Sequence, residues 1–143
     1  IAVAILVYVV LDGFDLGVGI LFGLHADEAE RTRMMDSIAP VWDGNETWLV
    51  VIGASLYAAF PVVYAVFLGA FYLPVLLLLF GLIFRGVAFE FRLHSRRLRR
   101  FWDWGFCIGS VTAAFVQGAA WGAMMRGIDA RCWVVPTMPE STA

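Results

Sequence analysis

Histidine is nearly absent: among 143 residues only His25 and His94 occur, both in polar stretches between apolar runs. No two imidazoles can face each other inside an apolar bundle, as bis-histidine haem ligation requires, so the chain is expected to bind no haem of its own. Cysteine is equally scarce. Cys107, inside an apolar run, and Cys132, near the end, are too few and too separated for a disulfide framework or a CxxC metal site, and each is expected to be a free thiol. The lack of an HExxH motif or a cysteine cluster argues against a zinc enzyme, and the lack of a P-loop against nucleotide hydrolysis. Lysine is missing altogether, which by itself excludes nothing. The basic residues are all arginines, gathered mainly in one loop, and the formal net charge is only -2, so nucleic acid is not an expected partner. The first residue, Ile1, already lies inside an apolar run with no charged segment before it. A signal peptide is therefore not expected, and the start reads as truncated.

What is abundant is apolar surface. Hydrophobic residues make up 62% of the chain and mean hydropathy is +0.82, against roughly 45 to 50% apolar residues in soluble domains. The fold class expected is an all-α integral membrane protein. Taking about 20 apolar residues per crossing, a bundle of four transmembrane helices is expected, with spans near 1–24, 38–60, 62–88 and 104–125. These form one repeat over 1–127, followed by an irregular tail over 128–143 that ends in Pro136-Thr137-Met138-Pro139. Pro61 punctuates the link between the second and third spans, and Pro74 is expected to kink the third.

Charge sets the orientation. Arg92, Arg96, Arg97, Arg99 and Arg100 crowd the link between the last two spans, which by the positive-inside rule places loop 92–100 in the cytoplasm. Counting crossings back puts Arg31 and Arg33 on the same side. Trp42, Trp48, Trp102 and Trp104 then flank the cytoplasmic ends of spans two and four, as an aromatic belt would.

The unusual feature is acid at membrane depth. Asp12 and Asp15 lie inside the first apolar run, and Asp43 and Glu46 open the second. An ionised side chain at the bilayer centre costs roughly 2.5 to 3.5 kcal/mol even on the lenient insertion scale, so such groups face a protein interior or a water file. Each pair has i, i+3 spacing and shares one side of a helix. For Asp12 and Asp15 two readings stand: carboxylates paired with an arginine of another helix or subunit, or groups that handle protons or a quinone. Asp43 and Glu46 resemble a capping box, and equally a proton relay, since neighbouring carboxylates in low dielectric hold protons more readily than in water. Gly44 and Asn45 between them permit an irregular helix start. Arg85, at the end of a long apolar run and followed by Glu90, either snorkels to the interface or counters one of the buried acids Asp12, Asp15 or Asp43, and Asp12, Asp15, Arg85 and Glu90 are candidates for one buried charge network. Gly13 to Gly17 and Gly19 to Gly23 are two GxxxG spacings, expected to pack against a neighbouring helix.

Four ordered blocks carry a family resemblance. Leu11-Asp12-Gly13-Phe14-Asp15-Leu16-Gly17-Val18-Gly19, then Ile38-Ala39-Pro40-Val41-Trp42-Asp43-Gly44-Asn45-Glu46-Thr47-Trp48, then Ala58-Ala59-Phe60-Pro61-Val62-Val63-Tyr64, then Phe84-Arg85-Gly86-Val87-Ala88-Phe89-Glu90-Phe91-Arg92 resemble subunit II of cytochrome bd-type quinol oxidases. The resemblance covers about Leu11 to Gly127, after which the sequence departs from the family pattern. It implies the first half of an eight-helix subunit of a quinol:dioxygen oxidoreductase of the bacterial inner membrane, in aerobic respiration. The haem-binding partner, subunit I, would carry haems b and d, and electrons would come from a membrane quinol. Further implied are a proton route from the cytoplasm that includes Asp43 with Trp42, Gly44 and Asn45 around it, a structural quinone in some members, and a small accessory subunit. Two rivals remain on the residues alone. Intramembrane acids and a proline-broken helix also suit half of an ion-coupled secondary transporter, and the charges could serve helix pairing in a pure assembly scaffold.

Overall fold

The computed structural model describes residues 1–94 and 97–126, and these are helical with no strand among them. Six helices follow in order: α1 (Ala2–Leu24), α2 (Glu28–Ile38), α3 (Trp42–Ala59), α4 (Pro61–Ala70), α5 (Tyr72–His94) and α6 (Arg99–Met125). Three stretches, Ala2–Leu24, Tyr72–Arg92 and Arg99–Met125, are long and apolar enough to cross a membrane. The protein is an all-α membrane protein. The stretch read as an irregular tail, residues 128–143, lies outside the described residues, as does Cys132.

Local chemistry explains where the helices stop. Asp27 caps α2 by accepting a hydrogen bond from Ala29 N at 3.2 Å, and Pro40 follows its end. The polar segment after the first span thus holds a helix of its own. Pro74 does not kink α5. A proline ring clashes with the carbonyl four residues before it, here that of Ala70. The chain resolves this by ending α4 at Ala70 and starting α5 afresh at Tyr72. Pro74 then falls in a first turn, where a missing N–H costs nothing. The single third span expected over 62–88 is accordingly two helices, broken at Phe71.

Helix α6 packs along α5 on one side and α1 on the other, and α3 lies against α1. Close approach is built from glycine. A Cβ added at Gly19 would lie 2.0 Å from Ser110 Oγ, and one at Gly109 would lie 2.7 Å from the carbonyl oxygen of Gly81. The second GxxxG therefore packs α1 on α6. The first meets no other helix among the described residues: a Cβ at Gly13 or Gly17 would meet nothing within 4 Å. Phe22, Met35, Ile38, Ala88, Phe89 and Phe106 form the larger core, while Val3, Leu6, Leu73, Phe80 and Phe115 stand outward as a lipid-facing surface would.

Candidate functional site

Asp12 and Asp15 project from the middle of α1 into the helix packing and are completely buried, 0% exposed. Arg85 of α5 is 1% exposed and approaches from the other side, its Nη1 3.5 Å from Asp12 Oδ1 and 3.8 Å from Glu46 Oε2. Asn45 Nδ2 donates to Asp15 Oδ2 at 2.8 Å, fastening the start of α3 to α1. Two acids thus meet one guanidinium in an apolar bundle, with a third, Asp15, held beside them by Asn45.

The pairing is loose. Both Asp12 oxygens, Asp15 Oδ1, Glu46 Oε2 and all three Arg85 nitrogens are buried without a hydrogen-bond partner among the described residues. Low dielectric makes such unpaired groups costly, and three full negative charges against one positive charge would repel strongly. Accepting a proton would relieve both costs.

The acids opening α3 differ in position. Val41 occupies the N-cap position and makes no side-chain cap, so Asp43 lies two residues too far inside the helix for the capping box that its spacing to Glu46 suggested. Asp43 is exposed at the helix mouth; Glu46, one turn further, reaches Arg85. Trp42 rests over Gly86, where an added Cβ would meet the indole at 3.4 Å, and its ring lies 5.3 Å from that of Phe89. Gly44 is exposed. Glu90 does not join the buried network proposed for it: five residues turn the helix by about 140° from Arg85, which leaves Glu90 on the exposed face of α5.

Seven residues beyond Arg85 the same face returns, and there Arg92 is 3% exposed. It pairs with Asp103 of α6 and Glu28 of α2, and Arg31 also reaches Asp103, at 3.2 Å. The sequence reading missed this second cluster, although the i, i+7 spacing of the two arginines signals it. Between the clusters stand Phe22 and Phe106, edge to face at 5.3 Å, with Arg92 over the first ring and Arg85 over the second. Another missed pair ties α1 to α6, Gln117 Nε2 donating to Tyr8 Oη. Gln117 was legible as a lone amide within an apolar run.

His25 and His94 sit at the C-terminal ends of α1 and α5, each with Nδ1 against a carbonyl of the preceding turn, Leu21 O at 2.9 Å and Glu90 O at 3.0 Å. No group of three or more His, Cys, Asp or Glu suited to a metal ion occurs among the described residues.

This arrangement can be set beside known proteins. The family of cytochrome bd terminal oxidase subunit II matches residues 1–141. The match runs through the segment after Gly127, so the departure from the family pattern expected there is corrected. The chain is 43% identical over 131 residues to cytochrome bd-I ubiquinol oxidase subunit 2 of Escherichia coli, covering 90% of this chain and 35% of that protein. It is 39% identical over 131 residues to cytochrome bd ubiquinol oxidase subunit 2 of Bacillus subtilis, covering 90% and 39%. A probable cytochrome oxidase subunit 2 of Haemophilus influenzae is 41% identical over 122 residues, covering 83% and 32%. The chain thus spans roughly a third of the length of these relatives. With acids and an arginine buried among its apolar helices and a match over nearly its whole length, the chain belongs to the cytochrome bd terminal oxidase subunit II family.

Proposed function

We propose that this segment is the first half of the non-haem subunit of a quinol:dioxygen oxidoreductase, and that it conducts protons toward the site of oxygen reduction. The observation that carries the proton reading is the cluster of Asp12, Asp15 and Glu46 around the single Arg85, reached from the exposed Asp43 by one turn of α3. The relatives are named as oxidase subunits, which supports this reading over a transporter half. In the proposed complex, subunit I holds haems b and d, which supply electron transfer and the oxygen-binding centre. Quinol reacts at the complex, and this chain's part is to bring protons. No residue of this chain is assigned to a structural quinone or to an accessory subunit.

The proposed route runs Asp43, Glu46, then Asp12 and Asp15. A path through the second cluster would have to pass the Phe22 and Phe106 rings, whereas α3 offers acids one turn apart. In a complete subunit II carrying this segment, Asp43→Asn keeps the shape and removes the titrating proton. Oxygen uptake driven by quinol should fall at least about tenfold, less than the roughly hundredfold lower edge for a positioned acid or base because water can partly take its place at the mouth, with haem content unchanged. Undiminished turnover would remove Asp43 from the route.

The proposed topology has four crossings, α3 being the one whose polar first turn lowers its hydropathy. It places loop 92–100 in the cytoplasm of a bacterial cell, with the chain multi-pass in the inner membrane. A reporter fused after Arg97 should be active only in its cytoplasmic form, and periplasmic activity there would invert the assignment.

A further inference from the structure

The proton route leaves the basic face at the start of α6 unused. There Glu28, Arg31, Arg97, Arg99, Arg100 and Asp103 surround a hollow of about 520 Å³. Part of its charge is neutralised internally. Glu28 Oε1 takes Arg92 at 2.7 Å and Arg99 at 2.6 Å, while Asp103 takes Arg31 and Arg92. Two carboxylates therefore serve three guanidiniums. Arg97 and Arg100 add two more, both exposed, and no acid among the described residues pairs with either. Arg92 does not itself line the hollow; the four guanidiniums that do, Arg31, Arg97, Arg99 and Arg100, face two carboxylates, an excess of two positive charges. Arg99 Nε is buried there with no hydrogen-bond partner among the described residues. Each of these features favours an anion.

Depth identifies the source of that anion. Phe91, Phe101 and Trp104 stand at the same ends of α5 and α6, exposed by 54%, 54% and 66%. Exposed aromatic rings of this kind settle at the boundary between headgroups and acyl chains, which puts the arginines beside them at phosphate level. A soluble acidic partner would have no use for the rings; a phospholipid meets both surfaces at once.

We propose that this hollow binds the phosphate of an anionic phospholipid, held by Arg97, Arg99 and Arg100, with its acyl chains against Phe101 and Trp104. The binding is independent of the proton route and is read without turnover. The two-subunit complex, with a complete subunit II carrying this segment, would be placed in phosphatidylcholine vesicles with and without phosphatidylglycerol, and the phosphatidylglycerol retained on purification would be counted by native mass spectrometry. The Arg97→Gln/Arg100→Gln double variant should bind it about thirtyfold more weakly, near fivefold for each arginine lost, while its melting temperature stays at the parent value because the Glu28 and Asp103 pairs are untouched. The Arg97→Lys/Arg100→Lys variant should keep most of the binding. Equal retention in the glutamine variant overturns the proposal. So does displacement of the lipid by inorganic phosphate at the same concentration, which would make this a site for a free anion. Loss of the partner subunit with lipid retained would make it a protein interface and overturn it as well.

Discussion

Arg85→Leu, in a complete subunit II carrying this segment, should destabilise the bundle by roughly 3 to 5 kcal/mol, the usual cost of removing one partner from a buried ion pair. Leucine fills much of the same volume, so the loss is electrostatic rather than a cavity effect. Asp12 and Glu46 would be left facing α5 without a counter-charge, and the charges of Asp12 and Asp15 are sealed from water. The expected result is a lower melting temperature and a falling yield of the assembled, haem-containing complex. The double variant Arg85→Met/Asp12→Asn removes charge from both sides and should recover much of that loss, because a neutral pair of similar volume is often as stable as the buried ion pair it replaces. If Arg85→Leu melts with the parent, the guanidinium has no structural weight and the loose 3.5 and 3.8 Å contacts are incidental.

That Arg85 is buried was one of two readings open from the sequence, and the reason it could not be decided there is instructive. The apolar run before it ends at Phe84, which looks like a membrane boundary. Helix α5 in fact continues to His94, so Arg85 lies inside the helix and not at its lip. The same error of length hid Arg92, which looked like part of a solvated loop, and Asp103, because α6 begins at Arg99 and not near residue 104. Hydropathy ends a helix at its first charges; the chain ends it where backbone hydrogen bonding stops. Asp12 and Asp15 were legible because acid inside an apolar run has few alternatives. Which of Asp43 and Glu46 reaches Arg85 was not, since spacing alone places both on one side of α3 and only the packing against α1 and α5 selects Glu46. The break at Phe71 was half legible: Pro74 announced a disturbance, but its position in the next helix depends on where the chain chooses to restart.

Glu46→Gln should have the largest effect on turnover of any isosteric change in this segment. Glu46 joins the exposed mouth of α3 to the buried cluster, with Asp43 one turn behind it and Arg85 3.8 Å ahead. Glutamine preserves length and shape while removing the group that can gain and lose a proton. With Glu46 removed, no described acid stands between the mouth and the fully buried Asp12 and Asp15. A relay that loses its middle member should slow by about a hundredfold, the lower part of the range for a positioned acid or base, and this is a greater loss than for Asp43, whose place at the mouth water can partly take. Quinol-driven oxygen uptake by the purified complex would measure it, with the haem spectrum as the check on assembly. Glu46→Asp keeps a titrating group on a shorter arm and should retain a sizeable part of the rate. Parent-like turnover in Glu46→Gln would show that protons reach the oxygen site by another path, and the acids of α1 would then stand as carboxylates held only to balance Arg85.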